Sequence, residues 1–209
     1  NAVCLGESLK LDATVTGGSG NYVQYVWTKD GALLTETSAS YEVAVTSALD
    51  AGLYTVTVFD DNGCEATSID FDVVVQEATA TLTTPNTAVC AGSSVTFTAG
   101  GAGATGTYEF FVGTTSVQGP SANNEYTTSS LVDNAEVSVH IIDDNGCKDS
   151  ESITMTVYPE PVATISFTDA EICSGGNTDL VIELTTGSRP WNVTYNDGTS
   201  DITRNSIAG

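Results

Sequence analysis

The chain has 209 residues, 27 acidic against 5 basic side chains, a formal net charge of −22 and 40% hydrophobic residues. So acidic a chain repels nucleic acid and anionic membrane surface, which are held by clustered Lys and Arg. Its apolar fraction, arranged in strand alternation, excludes a disordered polyanion, and no run has the length of a membrane span.

Val3-Cys4-Leu5-Gly6-Glu7-Ser8 leads into Leu9, Leu11, Ala13 and Val15, an alternation with one buried face. Gly17-Gly18-Ser19-Gly20 reads as a loop. Tyr25 and Trp27 then fall on the inner face of the next strand, which Lys29-Asp30-Gly31 ends, and Tyr41, Val43 and Val45 make another. Asp50, Gly52 and Tyr54 have the spacing of a tyrosine corner, in which the Tyr hydroxyl bonds back to the backbone. Tyr54, Val56 and Val58 alternate with Thr55, Thr57 and Phe59 up to Asp60-Asp61-Asn62-Gly63. There Asn-Gly is expected to supply the positive φ angles of a tight hairpin. The return strand puts Ile69, Phe71, Val73 and Val75 on one face.

The pattern then returns. Cys64 and Cys147 stand 83 residues apart (147 − 64), as do Cys90 and Cys173 (173 − 90), and Phe110 takes the place of Trp27. Val95, Phe97 and Ala99 repeat the early strand, Gly100 to Gly106 the glycine-rich loop, and Val137, Val139 and Ile141 the strand before the turn. Val137 replaces Tyr54, so the second corner lacks its tyrosine. Ile165 and Phe167, then Leu180, Ile182 and Leu184, then Trp191, Val193 and Tyr195 begin a third round. So long a period makes each repeat a whole domain rather than one layer of a solenoid. The expected units are 1–76, without its first strand; 77–158; and 159–209, the N-terminal part of a third, all within a longer secreted protein. Their joints, Gln76-Glu77-Ala78-Thr79 and Tyr158-Pro159-Glu160-Pro161, are short and lack a flexible Gly/Ser run.

Five Cys with no CxxC and no Cys/His cluster point to disulfides and an oxidising compartment rather than to zinc. Two pairings compete. Pairing within each unit gives Cys4–Cys64 and Cys90–Cys147, although an ideal sandwich puts those positions at opposite ends. Pairing between neighbours gives Cys4–Cys147. Under either scheme the partner of Cys173 lies outside the chain. The acidic turns are the second candidate: Ca²⁺ takes clustered carboxylate oxygens, and a turn close to the joint makes Glu77, Asp143 and Asp144 candidate ligands. The plain reading of those turns is a hairpin and nothing more, and no other cofactor is expected. His140 alternates with Val139 and Ile141 and so faces outward, without a nucleophile beside it, and no enzymatic activity is expected. Trp27, Tyr54 and Phe110 read as core rather than as a sugar-stacking platform.

Gly6-x-Ser8-x-x-Leu11, Trp27-Thr28-Lys29-Asp30-Gly31 and Asp50-x-Gly52-x-Tyr54 resemble the immunoglobulin-like pattern. The positions that carry the inter-sheet cystine of antibody domains are Ala13 and Val56 here, so the core packs without that bridge. Val-Cys-x-Gly combined with Tyr-Thr-Val-Thr-Val and Asp-Asn-Gly-Cys is similar to the PKD-like and SprB-type repeats of giant adhesins from gliding bacteria. The expected fold is all-β, with tandem immunoglobulin-like β-sandwich domains strung end to end. The resemblance implies a stalk or filament segment of a surface-displayed extracellular adhesin, exported by a type IX secretion system, whose partners are neighbouring repeats of the same protein. A carbohydrate-binding module of a secreted multidomain protein is the second expectation.

Overall fold

A computed structural model describes residues 2–169, 171–196 and 198–207. Among these described residues all regular structure is β apart from one 3₁₀ turn, Ala48–Asp50. The first unit holds β1 (Ala2–Cys4), β2 (Leu9–Asp12), β3 (Tyr22–Lys29), β4 (Ala32–Leu33), β5 (Ser40–Val43), β6 (Gly52–Asp60), β7 (Glu65–Thr67) and β8 (Phe71–Gln76). One sheet runs β1-β8-β6-β3-β4, with β7 also on β6, and β2-β5 faces it. The alternation of β6 is realised residue by residue: Tyr54, Val56 and Val58 point into the core with Leu9, Leu11, Trp27 and Val73. Burying β-branched and aromatic side chains from both sheets is what holds the layers together.

Tyr54 makes the corner that its spacing predicts, its hydroxyl donating to Asp50 O at 2.8 Å, and burial pushes that hydroxyl's pKa well up. Trp27 is 4% exposed and donates its ring N–H to Ser38 O at 2.9 Å. Tyr41 packs between the two, its ring centroid 6.1 Å from that of Trp27 and 5.5 Å from that of Tyr54.

The second unit holds β9 (Thr81–Thr83), β10 (Ala88–Cys90), β11 (Val95–Gly100), β12 (Thr107–Val112), β13 (Thr115–Ser121), β14 (Glu125–Thr128), β15 (Glu136–Ile142), β16 (Lys148–Thr154) and β17 (Thr156–Tyr158). Sheets β13-β12-β15-β16 and β14-β11-β9 enclose its core, and β10 pairs in parallel with β17 as β1 does with β8. Phe97, Phe110, Val137, Val139, Ile141 and Met155 are fully buried there. β18 (Ala163–Phe167), β19 (Leu180–Leu184), β20 (Trp191–Asn196) and β21 (Asp201–Ile207) form two antiparallel hairpins, and none of the described residues from 161 onward is buried.

Three details differ from the sequence reading. The segment Ala2–Cys4 is itself a strand, not a lead-in. The return strand of the first unit breaks between Thr67 and Phe71, so Ile69 is 89% exposed and, of the four residues assigned to one face, Val73 alone is buried. Val45 likewise lies outside β5 and is exposed.

Replacing Trp27 by Ala removes the largest side chain of the smaller core and strands the Ser38 carbonyl. Trp27→Ala is expected to cost ~3–5 kcal/mol in chemical denaturation of the first unit. A loss below ~1 kcal/mol contradicts its place in the core.

Candidate functional site

The side chains with chemistry to offer gather where the first unit meets the second. β1 runs parallel to β8 with Cys4 opposite Gln76, and Leu5 N donates to Gln76 O at 2.7 Å. Cys4 therefore sits beside the last strand residue before the joint. Thr46, almost fully buried, fixes it from behind: its hydroxyl donates to Cys4 O at 2.8 Å, its carbonyl accepts from Gly6 N and its amide donates to Glu7 O.

Cys147 arrives from the other side on the turn between β15 and β16. Asp143 N donates to Cys147 O, Gly146 N donates to Asp143 O, and Asp143 Oδ1 accepts from Asn145 N and Cys147 N at 2.9 and 2.8 Å. Asp60 caps the first unit's turn in the same way, accepting from Asn62 N and Cys64 N. Only the glycines, Gly63 and Gly146, have positive φ in these turns. They are thus three-residue loops with a glycine bulge, not the two-residue loop with two positive φ angles that Asn-Gly suggests. The Asp side chain supplies the closure that the second of those angles would have given.

The next Asp has its own task. Asp144 reaches across to the glycine-rich loop and accepts from Ala104 N, Thr105 N, Thr105 Oγ1 and Gly106 N at 2.6–3.0 Å. The Thr105 amide, with the other donors, holds its carboxyl below the ordinary carboxylate range. A Cβ on Gly103 would collide with that carboxylate, and one on Gly101 with the Thr79 carbonyl of the joint, which is why the loop is built of glycine.

Cys4 and Cys147 form a disulfide, with their Cα atoms 5.3 Å apart and a sequence separation of 143. The bond packs against the core of the second unit, where Cys147 is 2% exposed. Cys64, Cys90 and Cys173 are free and exposed. This corrects the pairings Cys4–Cys64 and Cys90–Cys147. The Gly52 end of β6 lies by β8 and Cys4, and the nine residues of β6 then carry the turn away. Cys64 is left roughly 26 Å along the strand, against the ~7 Å limit for a bridge. Disulfides of this kind belong to oxidising, non-cytoplasmic compartments.

The remaining candidates stay apart. Among the described residues no group of three or more His, Cys, Asp and Glu side chains is placed to hold a metal. Glu77 is exposed, and Asp143 and Asp144 are engaged by backbone donors, so these three are not assembled as a calcium site. His140 is exposed on β15 with its ring 4.5 Å from that of Phe111. Trp191 is half-buried under the Arg189 guanidinium, 4.9 Å from its ring centroid. A cleft of about 540 Å³ opens in the first unit between Lys10–Thr16 and Ala66–Phe71. In the second unit β9 pairs with the matching strand β11, whereas β2 pairs with β5 alone. No described helix is long and apolar enough to cross a membrane.

Sequence reasoning missed the parallel pairing of Ala2–Cys4 and the grip of Asp144 on the glycine-rich loop. The first had no signal in three residues. The second had one: the acidic turn and the glycine-rich loop recur together in both units.

Comparisons with known proteins agree with this architecture. Residues 78–161 match the family model described as "Ig-like domain CHU_C associated", so the second unit is an Ig-like domain. The chain is 48% identical over 56 residues to a decoration protein of Escherichia phage T5, a stretch that covers 26% of this chain and 34% of that protein. The chain thus spans about a third of that relative's length. Among solved structures, the N-terminal eight Ig domains of Down Syndrome Cell Adhesion Molecule align with a TM-score of 0.52 at 14% identity, covering 81% of this chain and 24% of that one. That likeness is one of fold. Three N-terminal domains of the outer capsid protein Hoc of bacteriophage RB49 align over 97% of this chain and 75% of that one, at 18% identity and a TM-score of 0.44.

Alkylation of the folded chain without reductant is expected to label Cys64, Cys90 and Cys173 and to leave Cys4 and Cys147 linked in a non-reducing peptide map. Recovery of a Cys4–Cys64 or Cys90–Cys147 peptide refutes the observed pairing.

Proposed function

We propose that this chain is a spacer segment in the outward-reaching stalk of a large secreted cell-surface adhesin of the gliding-bacterial kind, exported by a type IX system. Its units set reach and perform no chemistry, and the covalent bond between them takes the load. The observation that supports this most is the Cys4–Cys147 bond between neighbouring units. Tension entering at β1 crosses that bond into β16 and leaves through β17. The whole first unit after Cys4 and the second unit up to Cys147 are then off the load path. A covalent bypass of this sort suits a module that is pulled.

Three further features support reach. The joint is pinned rather than loose: Ala78 and Ala80 are buried, and Ala80 N donates to Asp149 Oδ2 at 2.7 Å. The second joint carries Pro159 and Pro161, which fix φ and favour an extended path. The charge of −22 keeps units of like sign apart within the ~8–10 Å that salt leaves unscreened.

A second reading, display on a viral capsid, draws on the stretch of identity with the phage T5 decoration protein. Both readings make the chain an outward-facing module. They part over its anchor, since a decoration protein co-sediments with capsids and a stalk with the cell envelope. The carbohydrate-binding reading loses Trp27, which is buried.

Small-angle X-ray scattering of the oxidised chain tests the spacer. An elongated particle, with a maximum dimension at least twice that of one unit, is the expected result. A compact profile at physiological salt contradicts it, because units packed side by side set no reach.

A further inference from the structure

Asn145 stands in the turn that carries Cys147, with Gly146 directly after it. Its side-chain amide is exposed, and no hydrogen bond holds it among the described residues. The amides of Asn21, Asn124 and Asn134 are held, donating to the Asp61 carboxylate, to Ala99 O and to the Asp133 carboxylate. A Cβ built on Gly146 would meet nothing within 4 Å, so solvent reaches the turn. A glycine nitrogen is the least hindered of backbone N–H groups, because its residue carries no side chain. Placed after an asparagine, it is the nitrogen best able to close on the asparagine Cγ and form a five-membered imide.

The folded turn holds that reaction off. Gly146 N donates to Asp143 O at 3.0 Å, and Asp143 Oδ1 accepts from Asn145 N at 2.9 Å and from Cys147 N at 2.8 Å. The nucleophile is thus spent as a donor, and the amides on either side of it are clamped to one carboxylate oxygen. Ring closure requires the turn to open locally. Two restraints oppose opening. One is the bond from Cys147, 2% exposed, to Cys4 of the neighbouring unit. The other is Asp144, which the glycine-rich loop engages with four donors. The disulfide is the restraint that a change of surroundings undoes: a dithiol gives it two electrons and two protons and closes to its own disulfide.

We propose that Asn145-Gly146 is a latent modification site that the Cys4–Cys147 bond keeps shut. With the disulfide reduced, a bond forms from Gly146 N to Asn145 Cγ, the Cγ–Nδ2 bond breaks, and ammonia leaves with the proton that Gly146 N gives up. Water then opens the imide, at Cγ to give aspartate or at the main-chain carbonyl to give isoaspartate. Isoaspartate routes the backbone through the side chain. It adds a methylene between residues 145 and 146 and leaves a carboxylate beside Asp143 and Asp144. The longer path breaks the match between Asp143 Oδ1 and its two amides, and the like charges repel. Cys147 is no longer presented to Cys4, so a joint left reduced long enough does not close again. The chain undergoes this reaction and does not catalyse it. The inference goes beyond the stalk reading and does not rest on it.

The test incubates the whole chain with and without dithiothreitol in mildly alkaline buffer and follows Asn145 by peptide mapping. Conversion adds one mass unit, and an isoaspartyl methyltransferase labels the isoaspartate. Conversion at Asn145 is expected to run several-fold faster in the reduced chain. Asn62-Gly63 sits in a turn closed by the same backbone and Asp bonds, so it reports whether reduction merely unfolds the chain, and its rate is expected to hold. After transfer to a glutathione redox buffer, peptides with isoaspartate at 145 are expected to be missing from the Cys4–Cys147 fraction. Asn145→Gln, whose longer side chain closes the ring far more slowly, is expected to regain the bond after the same treatment. Equal rates at Asn145 with and without reductant, a matching acceleration at Asn62, or isoaspartate peptides recovered within the Cys4–Cys147 bond overturn the proposal.

Discussion

The bond from Cys4 to Cys147 is the constraint on which the joint depends, and each end is held by structure that exists for it. On one side, β1 owes its place to the parallel pairing with β8 and to Thr46, whose backbone and hydroxyl hold the Cys4–Glu7 turn. On the other, Asp143 closes the turn that carries Cys147, and Asp144 ties that turn to the glycine-rich loop. Gly101 in that loop lets the backbone approach the Thr79 carbonyl, and Asp149 takes the Ala80 amide. A chain as acidic as this one uses carboxylates as acceptors for backbone N–H groups, because it has few cations to pair them with. Such charge-assisted bonds are short and strong for their number.

The two cores are unequal for a reason that the joint makes plain. In the second unit β9 adds a third strand to the smaller sheet and buries Leu82, and the joint residues Ala78 and Ala80 are buried with it. In the first unit β2 and β5 stand as a pair, a cleft opens beside Leu11 and Ala13, and the return strand breaks at the exposed Ile69. The staple therefore fastens the less filled unit to the better filled one. Its 143-residue span contributes ~5 kcal/mol against unfolding in the chain-entropy model.

Much of this was legible in the sequence where period and spacing carry the signal. The alternation of Tyr54, Val56 and Val58 gave the buried face of β6, the interval from Asp50 to Tyr54 gave the corner, and the equivalence of Trp27 with Phe110 gave two inner sheets. What was not legible depended on three dimensions. Periodicity places Ile69 on the core face, but the strand lets go of the sheet at that point. Asn-Gly suggests one turn type, yet the carboxylate before it selects another. Disulfide connectivity follows from where strand ends meet: the sequence left Cys4–Cys147 competing with the two within-unit pairings, and the fold chooses it. The glycines at 100 to 106 announced a loop, but not that Asp144 would thread its oxygens into it.

The central claim is that the staple diverts load around both cores, and pulling a single chain by its ends measures it directly. With the bond intact, the segment between Cys4 and Cys147, a sequence separation of 143, stays locked, and the extension at full stretch comes from the rest of the chain alone. With reductant, that segment is released and adds roughly 500 Å, at ~3.3–3.6 Å per residue. A gain of that size on adding reductant is the result this account predicts. Release of the same length from the oxidised chain would contradict it.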